Sequence, residues 1–211
     1  MIRTKTFVFN AFQVNTYLLI STNNEAILID GACYSTSEQE QLSNYLEKNK
    51  ITLVRHILTH SHIDHILGAK YIQDTYGIKP EIHKAGLLFW QSASEYASVF
   101  GLTVAEPTLP DLFLDENSEI KLGDNIIKTI YCPGHADGSI CFYIPDQDTL
   151  FSGDVLFAGS IGRTDLPTGD MNLLLKSIKE KLLILPDKTV VFPGHGAATT
   201  IDREKKTNPY L

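Results

Sequence analysis

Three histidines and one aspartate crowd into the six residues His60-Ser61-His62-Ile63-Asp64-His65. A helix buries positions three and four apart, a strand buries alternate positions, and neither period accounts for these four together. Coordination chemistry does. His60 and His62, two apart in a turn, can aim both imidazoles to one side and share one ion. Asp64 and His65 follow in the first turn of an expected helix and can face a second. Imidazole suits zinc, iron and similar metals, and carboxylate adds hard oxygen ligation.

Five of the seven histidines lie in three places, this cluster, His135 and His195, and each place follows an expected strand. Strand ends gather at one rim of a sheet, so distant positions can converge there. Pro133-Gly134-His135 and Pro193-Gly194-His195 are alike: each seats a histidine on a Pro-Gly turn, where backbone can come close to an ion. Asp154, in Ser152-Gly153-Asp154-Val155, is another carboxylate at a strand end, with two oxygens able to bridge two ions. His56 lies roughly 13 Å before His60 along a strand and is read, with His83, as structural.

Period and punctuation set the elements around these residues. Strands are expected over Phe7 to Phe12, Thr16 to Ile20, Ala26 to Ile29 and Thr52 to Leu58, the last running into the histidine cluster. Ser35 to Asn49 reads as a helix, with Ser35 as N-cap and Leu42, Tyr45 and Leu46 as its apolar stripe. A helix from Asp64 to Tyr76 ends at Gly77. After a brief strand at Glu81 to His83, another helix spans Ala85 to Phe100, and Gly101 to Pro110 is a loop. Phe89, Trp90, Tyr96 and Phe100 recur there at helical spacing and are read as core in preference to pocket wall. Glu119 to Leu122 and Asn125 to Tyr131 form a hairpin around Gly123-Asp124. Strands at Ser139 to Ile144 and Thr149 to Phe151 precede a long functional loop over Gly153 to Gly169. A helix over Asn172 to Leu185 and a strand at Thr189 to Phe192 follow. Two blocks of strands followed by helices suit two packed sheets with helices outside.

The chain has 211 residues and a formal charge of −7. That length suits one domain with a sizeable core. The acidic balance lacks the basic footprint that nucleic-acid binding needs, though a few local cations could still hold a small anion. Cys33, Cys132 and Cys141 are odd in number and form no CxxC pair, so a reducing compartment is expected in place of a disulfide framework. No signal-peptide-like apolar segment opens the chain, and no apolar run approaches the roughly 18 residues of a membrane span. The protein is read as cytoplasmic.

Together these residues resemble the metallo-β-lactamase-fold superfamily. The matches are the THxHxDH box at Thr59 to His65, the PGH turn at Pro133 to His135, the SGD at Ser152 to Asp154 and the PGHG at Pro193 to Gly196. They occur in the family's order across most of the chain. The resemblance implies an α/β (α+β) fold, a four-layer αβ/βα sandwich with metals at one edge. It implies a single domain over 1–211 with no separate C-terminal helical domain. It also implies two divalent metal ions, zinc first with iron or manganese as alternatives. His60, His62 and His135 would hold one ion, Asp64, His65 and His195 the other, and Asp154 would bridge them. Asp30, in Ile29-Asp30-Gly31, matches a position that orients a ligand from behind.

True β-lactamases of the superfamily usually carry a cysteine where Asp154 stands. The chain is similar instead to the glyoxalase II (hydroxyacylglutathione hydrolase) branch. Phe157 to Arg163 resembles that branch's loop, in which a basic residue, here Arg163, holds the glutathione moiety. The chain ends at Leu211, soon after His195, and looks like the short bacterial glyoxalase II-like group. That implies loss of a helical region whose cations grip glutathione. Arg203, Lys205 and Lys206 are candidate substitutes, although a charged tail is more often simply solvated.

The implied activity is hydrolysis of an S-2-hydroxyacylglutathione-type thioester, a small-molecule substrate. Two metals roughly 3.5–4 Å apart would bridge a water, lower its pKa towards neutrality and let the hydroxide attack the thioester carbonyl. Asp64 would be the catalytic residue, binding metal and orienting that hydroxide, while a metal stabilises the oxyanion. A thiolate leaves without a strong acid, and no G-x-S-x-G elbow offers a serine route. Three rivals stand beside this reading. A persulfide dioxygenase would use one iron on His62 or His60, His135 and Asp154. A nuclease or phosphodiesterase of the same fold is opposed by the acidic charge, and a non-catalytic metal-bound module by the intact donor set. Metal identity, acyl group, thiol carrier and oligomeric state are not written in the sequence.

Overall fold

β1 (Arg3–Phe9) and β2 (Val14–Ile20) open the chain as an antiparallel hairpin. The first strand begins and ends earlier than expected, because Asn10 and Gln13 take positive φ (54° and 58°) and turn the chain between them. The computed structural model describes residues 1–104 and 109–211. β3 (Glu25–Ile29), β4 (Thr52–Ile57) and β5 (Pro80–Glu81) complete a five-stranded sheet of order β1-β2-β3-β4-β5, with parallel pairing from β3 onward. α1 (Thr36–Lys48) supplies the crossover between β3 and β4; Ser35 and Glu38 close a capping box at its start.

The second sheet has six strands in the order β13-β12-β9-β8-β7-β6. They are β6 (Glu119–Leu122), β7 (Asn125–Tyr131), β8 (Ile140–Ile144), β9 (Thr149–Gly153), β12 (Val190–Pro193) and β13 (Thr199–Thr200). The expected hairpin around Gly123-Asp124 is β6 and β7. A separate ribbon of β10 (Leu156–Phe157) and β11 (Ser160–Ile161) lies inside the stretch expected to be one irregular loop.

The two sheets face each other. Tyr17, Leu19, Ile27 and Ile29 of the first interlock with Ile120, Ile127, Phe142 and Phe151 of the second. The outer face of the first sheet is covered by Leu42 and Leu46 of α1, that of the second by Leu174, Ile178 and Leu182. This is the αβ/βα layering, each sheet shielded on both faces.

Three expected long helices are broken. The Asp64–Tyr76 helix is α2 (Ile63–Ile66) and α3 (Ala69–Tyr76). The Gly68 N–H donates to the Gly31 carbonyl at 3.0 Å, and the Asp64 carbonyl that a continuous helix would offer it accepts from Asn10 Nδ2 at 2.9 Å. The Ala85–Phe100 helix is a 3₁₀ turn (Lys84–Gly86), α4 (Leu87–Gln91) and α5 (Ala93–Val99). The Asn172–Leu185 helix is α6 (Met171–Ser177) continued by a π-helical turn, Ile178–Leu182. The loop expected over Gly101 to Pro110 falls partly on residues 105–108, outside the described residues. A final helix, α7 (Ile201–Thr207), has no counterpart in the sequence reading. Its Glu204 is fully buried, accepting from the Gly159 N–H and from Asn208 Nδ2, both at 2.8 Å.

Candidate metal centre

Every expected donor lies just past the C-terminal end of a strand or in the short helix that follows one. β4 delivers His60 and His62, and α2 carries Asp64 and His65. The turn after β7 carries His135, the end of β9 Asp154, and the end of β12 His195. The two Pro-Gly turns work by close approach. A Cβ on Gly134 (φ +125°) would lie 2.3 Å from the Leu174 backbone nitrogen, and one on Gly194 would lie 2.1 Å from Asp154 Oδ1. The β12 turn is pinned to the opposite sheet, where Tyr17 Oη and Asn15 Nδ2 donate to the Pro193 carbonyl at 2.6 and 3.0 Å.

The structure brings all seven donors together. His60, His62 and His135 offer atoms within 4.8 Å of one another, as do Asp64, His65 and His195, and as do His60, His65 and Asp154. Asp154 stands between the outer groups: Oδ1 is 3.4 Å from His65 Nε2, and Oδ2 is 3.8 Å from His135 Nε2 and 3.5 Å from His195 Nε2.

The hydrogen bonds behind the rings assign their tautomers. The Thr59 hydroxyl donates to Asp30 Oδ2 at 2.7 Å, so it accepts from His60 Nδ1 at 3.1 Å. His135 Nδ1 donates to the Arg163 carbonyl at 2.8 Å. Both Nε2 atoms are therefore lone pairs, and they face each other across 3.2 Å. His65 Nδ1 donates to Asp30 and His195 Nδ1 to the Phe12 carbonyl, at 3.0 and 2.9 Å, so their inner nitrogens face the carboxylates of Asp64 and Asp154. His62 Nε2, His65 Nε2 and Asp154 Oδ1 are buried without any hydrogen-bond partner. Buried lone pairs aimed at one another are costly unless a cation or proton lies among them. The donor set fits divalent metal.

Proton affinities divide the site. Burial and neighbouring histidines pull His60 and His135 down, and burial with His135 takes His62 to about 3. That group stays neutral, as ligand imidazoles must. Burial also opposes charge on His65 and His195, but the adjacent carboxylates overcome it, and His195 is pushed up to about 10. Burial opposes charge on Asp154 as well, yet His65 and His195 hold its carboxyl well below the usual range. A positive charge is demanded on this side whether proton or metal supplies it.

Asp30 sits behind the site, buried, with φ at +51°. Besides His65 it accepts the Thr59 N–H at 2.7 Å. Arg163 lies at the rim of the pocket over the site, but its guanidinium is paired with Asp165 by two 2.7 Å hydrogen bonds. The sequence reading gave no role to the supports Thr59, Phe12 and Asn10. Thr59 adjoins the histidine cluster and was within reach; a backbone carbonyl such as that of Phe12 leaves no sequence signal. His56 is structural as read, its Nε2 accepting the Gly31 N–H at 3.0 Å.

The pocket has a volume of about 420 Å³, with Phe12, Phe89, Tyr96, Phe100 and Leu166 in its wall. Of the four aromatics read as core, Trp90 and Phe89 are buried, and Phe89 also reaches the pocket; Tyr96 packs against the core cluster and lines the pocket, and only Phe100 is an exposed part of the wall. Arg203, Lys205 and Lys206 stand on α7 and do not line the pocket; the two lysines pair with Asp187 and Asp202. Among the described residues no helix is long and apolar enough to cross a membrane.

Residues 9–195, which span all seven donors, match the Metallo-beta-lactamase superfamily. A hydroxyacylglutathione hydrolase, GloC, of Haemophilus influenzae is 38% identical over 95% of this chain and 94% of its own. The crystal structure of the BLEG-1 B3 metallo-beta-lactamase is 34% identical and superposes with a TM-score of 0.90 over 99% of both chains. The crystal structure of TTHA1623 in a di-iron-bound form is 33% identical, with a TM-score of 0.88 over 98% of this chain and 100% of that one. With its layered sheets and its strand-end cluster of histidines and aspartates, the chain belongs to the metallo-beta-lactamase superfamily.

Proposed function

We propose that the protein is a dinuclear metal-dependent hydrolase acting on thioesters of the S-2-hydroxyacylglutathione type. The observation that carries this is the pair of facing lone pairs on His60 and His135 beside the carboxylate-facing nitrogens of His65 and His195. His60, His62 and His135 would hold one ion, Asp64, His65 and His195 the other, with Asp154 between them. TTHA1623 supports two ions and GloC supports the substrate class. Zinc is the first choice of metal, with iron or manganese as alternatives, since mixed histidine and carboxylate sites accept all three.

Bound divalent ions would supply an acidified water and a Lewis acid for the carbonyl oxygen. The chain's residues do the rest. Asp64 lines the pocket, and its carboxylate orients the water as the water oxygen bonds to the thioester carbon and the proton it sheds passes to solvent. The C–S bond then breaks, and the thiolate leaves with its electron pair and collects a proton, giving a carboxylic acid and a thiol. Phe89, Tyr96 and Phe100 give that step an apolar wall.

The test is metal content by elemental analysis, then a thioester panel on the same sample against a His60→Ala control. Two ions per chain with hydrolysis of S-D-lactoylglutathione above the control is expected. One iron per chain with oxygen uptake would overturn it in favour of a persulfide dioxygenase. Faster opening of a β-lactam than of any thioester would overturn it in favour of a lactamase, which the likeness to BLEG-1 makes worth measuring.

A further inference from the structure

His195 is more open to solvent than the two carboxylates it faces, 28% exposed against 16% for Asp64 and 13% for Asp154. Its Nδ1 donates to the Phe12 carbonyl at 2.9 Å. Phe12 stands in the β1–β2 turn between Asn10 and Gln13, both at positive φ. Its N–H donates to Asn10 Oδ1 at 2.9 Å, and its ring packs partly on the outer core of the first sheet. The same ring meets Phe100 edge to face, with centroids 5.4 Å apart and planes at 89°, a favoured aromatic arrangement. Phe100 comes from a firmly placed element. α5 buries Ala93 and Ala97, and the N–H groups of Phe100 and Leu102 both return to the Ala97 carbonyl, at 3.0 and 2.9 Å. Phe100 itself is 52% exposed, so the core does not depend on it. Both rings line the pocket.

We infer that Phe100 is a positioning residue for His195, acting through Phe12. The ring of Phe100 braces the ring of Phe12, and the brace steadies the turn whose carbonyl orients the imidazole. His195 Nε2 is thereby held 3.3 Å from Asp64 and 3.5 Å from Asp154, where an ion between them would find it. Without the brace Phe12 keeps its carbonyl but gains freedom to tilt. An imidazole that samples several orientations binds an ion less tightly, because binding must then freeze it. The inference rests on the metal part of the proposed function and not on its substrate.

Zinc is the probe, and its affinity is read by competition with a chromogenic chelator. Phe100→Ala weakens zinc binding several-fold, less than the roughly 10- to 100-fold of losing a ligand's direct partner. Phe100→Tyr keeps the ring and keeps the affinity. Phe12→Leu retains the backbone carbonyl but loses the ring, and it weakens zinc as Phe100→Ala does. Adding Phe100→Ala to His195→Ala weakens zinc no further, since changes that act through one group do not add. Unchanged affinity in Phe100→Ala and Phe12→Leu overturns the inference. So does a loss that persists in full on the His195→Ala background, which assigns Phe100 a general structural role. Thioester turnover enters neither outcome, so a protein that hydrolyses no thioester refutes the proposed function and leaves this measurement readable.

Discussion

Asp30 Oδ2 accepts a 3.0 Å hydrogen bond from Nδ1 of His65, and the same oxygen accepts the Thr59 hydroxyl. One carboxylate thus fixes His65 directly and His60 through Thr59 Oγ1, so both rings turn their Nε2 atoms into the site. It does so from a left-handed backbone position that an aspartate adopts at some cost.

Asp30→Asn keeps an acceptor for the Thr59 N–H but places an amide N–H against His65 Nδ1, which reverses the preferred tautomer. Metal affinity should fall roughly 10- to 100-fold, read by competition with a chromogenic chelator. Unchanged affinity would remove Asp30 from the site's support.

Asn10 ties the β1–β2 turn to the site, with Nδ2 donating to the carbonyls of Asp64 and Ala32 at 2.9 and 3.1 Å. The same turn holds Phe12, whose carbonyl accepts from His195. Asn10→Ala leaves both carbonyls short of a partner and should cost about 1–3 kcal/mol of stability in denaturant unfolding. Metal should also be lost more readily from the group that includes His195.

Gly194→Ala puts a methyl group where Asp154 Oδ1 and His65 Cε1 now lie, 2.1 and 2.8 Å from it. The carboxylate swings away before the sheet yields. The expected result is a folded protein by circular dichroism with fewer than two ions by elemental analysis.

His56 is fully buried, and burial takes its pKa down from 6.5 to about 3. The unfolded chain therefore binds a proton in a range where the folded chain does not. Stability from neutral His56 is complete above 6.5 and is lost as pH falls towards about 3, at up to about 1.4 kcal/mol per pH unit. His56→Gln retains an acceptor for the Gly31 N–H and does not titrate. In chelator-treated protein its stability should depend on pH less steeply than the parent's by up to one proton across that window; equal slopes would show that His56 titrates normally.

Much of the site was legible in the sequence because its chemistry is local. His60, His62, Asp64 and His65 are neighbours in the chain, and His135, Asp154 and His195 each sit on a glycine-bearing turn after a strand. The layered fold was legible too, since strand and helix periods report which faces are covered. Helix continuity was not. The break at Gly68 is caused by Gly31 and Asn10, residues far away in sequence, which take the hydrogen bonds a continuous helix would use. α7 read as a charged tail because what anchors it, Glu204 against Gly159, is a tertiary contact.

By itself the sequence determined which atoms are available to bind metal and roughly where each enters, because donor type and strand-end position are properties of short segments. Tertiary structure alone decided what those atoms face: Asp30 beneath His65, the Phe12 carbonyl behind His195, and the lone pairs of His60 and His135 across 3.2 Å. It also decided that Arg163 pairs with Asp165 and that Phe89 and Tyr96 serve both core and pocket. Hydrogen-bond direction and burial depend on what the rest of the chain places nearby, and no local pattern carries that.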